Sequence, residues 1–248
     1  MNYNKNLIDL LDEASQIQKQ LIINKDANTK IIAIRANDPD VSVCYTLSAP
    51  EDYLNFTGTK LAFYDFTKFV KCFRVFDIKS KDEKLSDTPV LDGVVNANNE
   101  TTDIIIKSSK TKQKISYRAA RADVLTQPVF NQIKMPAVDC KFTITQEEFK
   151  HIRYMLDSVI EADTIKFTWD NDVCKITLKN MKTSNYYDVE YKLTTPANLN
   201  GVLEIQTKGL KQMPEAGYTV EVASAGLVHF AMDRNDDINM NLYISKKS

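Results

Sequence analysis

Four times along the chain, a helical segment is followed by three β-rich runs, and in three of the four a short apolar run precedes it. Recurrence of this kind restricts the fold more than any single motif does, because each unit must bury its apolar face against its neighbours. The first occurrence opens on its helix, from about Asn4 to Lys19, with Leu7, Leu10, Leu11, Ala14 and Ile17 along one stripe. Three β-rich runs follow, at about 20–24, 30–36 and 41–46. The second has the strand KLAFYD (60–65), a Phe-rich helix, and strands near 88–92, 102–107 and 113–118. Alternation then lapses in AARADVLTQPVFNQIKMPAV (119–138), whose two prolines and lack of glycine predict an extended linker. The third comprises CKFTI (140–144), a helix over 145–160, then TIKFTW, VCKITLK and YYDVEYKL. The fourth has GVLEIQ (201–206), a short helical TKGLKQM, and the closing strands YTVEVAS, LVHFAMD and INMNLYI. The expected architecture is α+β, with two similar domains at 1–118 and 139–248 joined by the linker 119–138. Each domain would be a duplicated βαβββ unit with its helices on one side of antiparallel sheets.

The helices carry the second signal. At about 100° per residue, YDFTKFVKCFRVFD (64–77) places Phe66, Phe69, Val70, Phe73 and Phe76 in one arc. Lys68, Lys71 and Arg74 fall opposite, with no acidic residue among them. The helix after Thr145, which a capping box with Glu148 would start, carries Lys150 and Arg153 away from the stripe of Phe149, Ile152, Leu156 and Val159. The last helical turn carries Lys208 and Lys211. The first helix is mixed: Lys5 and Lys19 share their face with Asp9, Asp12 and Glu13. With a formal net charge of −1 for 248 residues, attraction to phosphate must come from how the charge is distributed. Helices gathered on one side would present lysine and arginine to phosphates without reading a sequence.

The residues for catalysis are sparse. The two histidines, His151 and His229, have no triad partner at a suggestive spacing, and six glycines leave little material for a phosphate loop. Asp233, Asn235 and Asp237 mimic the start of a calcium loop, but Ile238 stands where its glycine belongs, so a polar hairpin turn is expected. Cys44, Cys72, Cys140 and Cys174 are far apart and read as free thiols in a reducing compartment. No apolar run approaches the ~20 residues that cross a bilayer, and the N-terminal stretch is too acidic for a signal peptide. No enzyme, cofactor, metal or membrane partner is expected, and the expected location is the cytoplasm. The run KSKDEKLSD in 78–87 reads as a solvated loop with no assigned role.

The order of elements, together with KLAFYDFTKFVKCFRVFD, FTITQEEFKHIRYMLDSVIEADTIKFTWDNDVCKITLKN and GLKQMPEAGYTVEVASAGLVHFAMDRNDDINMNLYI, resembles the DNA sliding clamps. The resemblance covers essentially the whole chain and is nearest to the trimeric, two-domain clamps of large tailed phages. It implies a homotrimeric ring around duplex DNA, a processivity factor that tethers a DNA polymerase and is opened by an ATP-dependent clamp loader. In a phage it would act in the host cell cytoplasm, in viral DNA replication and late transcription. Lys68, Lys71, Arg74, Lys150, Arg153, Lys208, Lys211, Lys5 and Lys19 would then face DNA. A partner peptide would dock in an apolar pocket of Val124, Leu125, Val129, Phe130, Ile133 and Met135, with Tyr243 as a wall. Subunits would join through 112–118 against 186–192, with Ile115 and Tyr117 meeting Tyr187 and Val189. The acidic first helix departs from the pattern. The alternatives are a monomeric or dimeric processivity factor that does not encircle DNA, and a phage structural protein of β-rich repeats.

Overall fold

The computed structural model describes residues 4–54, 56, 58–76, 89–125, 133–197, 199–234 and 236–246; the charged run 78–87 lies outside them. The element order follows the expected repeat. Helix α1 (Lys5–Ile17) leads into β1 (Leu21–Asp26), β2 (Ile31–Asn37) and β3 (Val43–Pro50). Then come β4 (Lys60–Phe63), α2 (Phe66–Arg74), β5 (Val90–Val95), β6 (Thr101–Lys107) and β7 (Lys114–Arg118). The third repeat holds β8 (Cys140–Ile144), α3 (Gln146–Tyr154), β9 (Thr164–Trp169), β10 (Val173–Lys179) and β11 (Tyr186–Lys192). The last holds β12 (Gly201–Gln206), β13 (Gly217–Ala223), β14 (Leu227–Asp233) and β15 (Asn239–Ser245). Every pairing between named strands for which a register is given is antiparallel.

Two helical expectations need correction. TKGLKQM forms only a three-residue 3-10 turn, Leu210–Gln212, without a side-chain cap. A segment this short, closed by Pro214, cannot repay helix nucleation. The helix expected over 145–160 is regular only to Tyr154, after which Met155–Val159 widens into a π-turn. Ile160 N–H reaches back to the Met155 carbonyl at 2.8 Å. The extra residue per turn swings Val159 out of the apolar stripe to 45% exposure while Leu156 stays buried.

The chain divides into two compact units. Unit 1 comprises Met1–Ala36 and Leu47–Val129; unit 2 comprises Asn37–Thr46 and Phe130–Ser248. The split differs from the expected 1–118 and 139–248, since the turn after β2 and the first half of β3 belong with the C-terminal unit.

Unit 1 has the strand order β4-β1-β2-β3 and a separate sheet β5-β6-β7. Helix α2 starts because the Asp65 side chain accepts from Lys68 N–H, and it buries the predicted arc of Phe66, Phe69, Val70 and Phe73, with Phe76 just beyond its end. Phe66 and Phe69 meet Phe63 of β4 at ring-centroid distances of 4.8 and 4.9 Å. Residues alternate across a strand, so the side chain of Ala62 lies on the other face of β4. There Ala62 and Ile22 are covered by Ala120, Ala122 and Leu125 at the start of the linker.

Unit 2 contains β11-β10-β9-β12 and the run β3-β15-β14-β13-β8. Thr145 and Glu148 form the predicted capping box of α3, and Phe149 packs on Tyr218 of β13 at 4.6 Å. Val228, Phe230 and Met232 of β14 point inward, as do Met240, Leu242 and Ile244 of β15. Cys140 and Cys174 are buried and free, and the Cys174 thiol is pushed up by its hydrogen bond with Cys140 and by burial.

Candidate nucleic-acid face, edge strands and pocket

Among the residues expected to face DNA, exposure and pairing separate two classes. Lys68, Lys71 and Arg74 are exposed along α2, as the sequence predicts. Arg74, however, lies 3.2 Å from both Asp9 and Asp12 of α1, and Lys68 is 3.9 Å from Asp65. Thr67 and Ser15 join the same two helices by a hydroxyl contact at 3.1 Å. The acidic first helix is therefore the electrostatic counterpart of α2. Lys71 has no ion-pair partner among the described residues. Lys5 and Lys19 are exposed near the two ends of α1.

In unit 2, Lys150 is exposed on α3 and also has no ion-pair partner among the described residues. Arg153 is turned inward instead: Nη1 donates to the Met213 carbonyl at 2.6 Å and Nη2 to that of Lys211 at 3.2 Å. It fastens the 3-10 turn to α3 because that turn is too short to satisfy its own carbonyls. Lys211 lies 3.7 Å from Asp157. Lys208 lies 3.6 Å from Asp38, a carboxylate with only 2% side-chain exposure. Asp38 also accepts from Ser42 Oγ at 2.7 Å and from Val43 N–H at 2.8 Å. The cationic groups left for an external anion are thus fewer than the sequence suggests, with Lys71 and Lys150 the clearest.

The two strands expected to join subunits, β7 and β11, each end a sheet. Their alternation decides what they present. Lys114, Ser116 and Arg118 of β7 are exposed, as are Tyr186, Asp188 and Glu190 of β11. Ile115, Tyr117, Tyr187 and Val189 lie half-buried on the inward faces. Tyr117 packs 5.4 Å from Phe69 and donates its hydroxyl to the Asp65 carbonyl at 3.1 Å. Burial accordingly pushes its phenol up. Outward charge is basic on β7; on β11 the exposed charges are the acids Asp188 and Glu190 and the base Lys192. Asp188 accepts from Thr177 Oγ1 at 2.7 Å and from Lys175 Nζ at 2.5 Å.

The expected pocket residues are dispersed in burial. Val124 is 54% exposed, whereas Leu125 is buried against β1 and β4. Val129 and Phe130 lie outside the described residues, while Ile133 and Met135 are half-buried. Tyr243 stacks on His229 with centroids 4.5 Å apart and planes 7° from parallel. Burial raises its phenol. The turn read as a poor calcium loop holds an Arg234–Asp236 ion pair, and Asn235 lies outside the described residues. Among the described residues, no group of three His, Cys, Asp or Glu side chains is placed to hold a metal. No described helix is long and apolar enough to cross a membrane.

Sequence reasoning passes over one cluster, which the strand register assembles. Lys141, Glu221, His229 and Tyr243 stand directly opposite one another across β8, β13, β14 and β15. Period-2 alternation puts each on the outward face of its strand, but only the register brings them into one row.

No protein-family model matches the sequence, and no curated protein does. Among solved structures, the chain is similar to Proliferating Cellular Nuclear Antigen from Entamoeba histolytica. The match has a TM-score of 0.73 at 12% identity and covers 98% of this chain and 95% of that one. Mixed α and β, with antiparallel sheets and few helices, the chain has the fold of the DNA sliding clamps over nearly its whole length.

Proposed function

We propose that the protein is a DNA sliding clamp: a homotrimer that encircles duplex DNA, tethers a replicative polymerase and performs no catalysis itself. The observation that carries this reading is the clamp fold across 98% of the chain. Lys71 and Lys150, supported by Lys68, Lys5 and Lys19, would meet the phosphates. A few such contacts on a chain of net charge −1 suit sliding, because each neutralised phosphate adds to the salt-sensitive hold on DNA. Subunits would join by adding β11 of one copy to the edge of β7 in the next. Lys114 and Arg118 would then face Asp188 and Glu190. The polymerase and other partners would dock a short peptide near Val124, Leu125, Val129, Phe130, Met135 and Tyr243, and an ATP-dependent loader would open the ring. A phage origin, with a role in late transcription, belongs to the same proposal, as do the two domains joined at 119–138.

Light scattering across a dilution series tests the core of it. The expected result is a species of three times the 28.2 kDa chain mass that, once loaded, stays on closed circular DNA and slips off linear DNA. A monomer at every concentration, binding both forms alike with steep salt dependence, would replace it with a clamp that does not encircle. Loss of no activity on changing Lys71 and Lys150 to Ala would favour a structural protein.

A further inference from the structure

The row on the outer face of unit 2 contains a histidine whose two ring nitrogens both meet oxygens. His229 Nδ1 lies 2.9 Å from Glu221 Oε2, and Nε2 lies 2.9 Å from Asn241 Oδ1. Glu221 is itself held by Lys141, whose Nζ donates to Oε1 at 2.8 Å. The imidazole is only 13% exposed, and Tyr243 covers one of its faces. The charged and titratable groups around it are Lys141 from β8, Glu221 from β13 and Tyr243 from β15, with Cys44 of β3 acting on Tyr243.

With a proton on both nitrogens, the imidazole donates to Glu221 and Asn241 at once. Losing one is asymmetric here. A bare Nδ1 would set its lone pair against the Glu221 carboxylate, which Lys141 and His229 hold below the usual carboxylate range. The proton therefore leaves Nε2, and Nδ1–H keeps donating to Glu221. Nε2 then becomes an acceptor facing the Asn241 carbonyl oxygen, and the contact survives only if the Asn241 amide turns over and donates from Nδ2.

We infer that His229 and Asn241 form a proton-controlled donor–acceptor switch on the outer sheet face, in which deprotonation of Nε2 reverses the Asn241 amide. With His229 charged, Asn241 turns its NH2 away from the ring, so the surface beside Tyr243 offers a donor. With His229 neutral it offers a carbonyl acceptor. The inference stands on unit 2 alone and does not depend on ring formation.

The test is a pH series of nitrogen-15 spectra of the full chain carrying His151→Gln, which leaves His229 as its one imidazole. The expected neutral form carries its proton at Nδ1, and the Asn241 NH2 resonances, identified by their loss in Asn241→Asp, move with the same midpoint as the ring. A neutral ring protonated at Nε2, or an Asn241 amide indifferent to that titration, overturns the inference. Asn241→Asp offers the same shape with acceptors only, so His229 should hold its second proton to higher pH. An unchanged titration in that variant overturns it as well.

Discussion

Lys71 and Arg74 share one exposed face of α2, yet only Arg74 is held by carboxylates, Asp9 and Asp12 of α1. Lys71→Ala should therefore weaken binding to duplex DNA and lower the salt slope by about one, leaving the urea midpoint unchanged. Fluorescence anisotropy at several salt concentrations reads the first and equilibrium unfolding the second. Arg153→Ala should behave in reverse. It removes two charge-assisted bonds to the Met213 and Lys211 carbonyls and should cost about 1.5–3 kcal/mol of stability. Glu221 sets a pH dependence of defined sign. Its carboxyl is lowered in the folded state by Lys141 first and His229 second. Its stabilisation is present above the ordinary, unfolded-chain carboxyl value of 4.5 and is lost as pH falls through the folded value. Glu221→Gln should be less stable than wild type near neutrality, and the gap in urea midpoints should close as the solution is acidified below pH 4.5.

At the scale of elements, the sequence was most legible where a single period ran without interruption. The arc of Phe66, Phe69, Val70 and Phe73 is buried as a 3.6-residue period predicts, and Phe73→Ala should cost about 3–5 kcal/mol by thermal or urea unfolding. Where spacing was not the deciding force, the sequence misled. Val159 fits the stripe by count, but the π-turn that displaces it is a hydrogen-bond shift, Ile160 N–H reaching the Met155 carbonyl, that spacing does not announce. Arg153 reads as outward because charge favours water, whereas two carbonyls of a turn sixty residues later draw it in. Tyr117 alternates as an edge-strand residue should, yet its ring completes the aromatic cluster under α2. The row through His229 was invisible because register couples four strands whose order the sequence does not declare. Gly201 carries another such dependence: a Cβ there would stand 2.1 Å from the Trp169 ring. Gly201→Ala should thus destabilise by about 1–3 kcal/mol.

For the whole molecule, the proposed assembly turns on two edges of opposite outward charge. Replacing Asp188 and Glu190 with Lys should drop the native mass to that of one chain, 28.2 kDa. Adding Lys114→Glu and Arg118→Glu should restore the larger species, which a merely unfolded variant would not regain. The excursion of Asn37–Thr46 into unit 2 bears on how the protein is made. Ser42 and Ser245, 203 positions apart, are joined when Ser245 N–H donates to the Ser42 carbonyl at 2.8 Å. Val43 also packs on Gly209. During synthesis the chain emerges N-terminus first, so this strip of β3 can pair with β2 at once, but its other edge must wait until β15 leaves the ribosome. A fragment cut cleanly at the linker would strand it on the wrong half, leaving β15 with an open edge and Lys208 without Asp38.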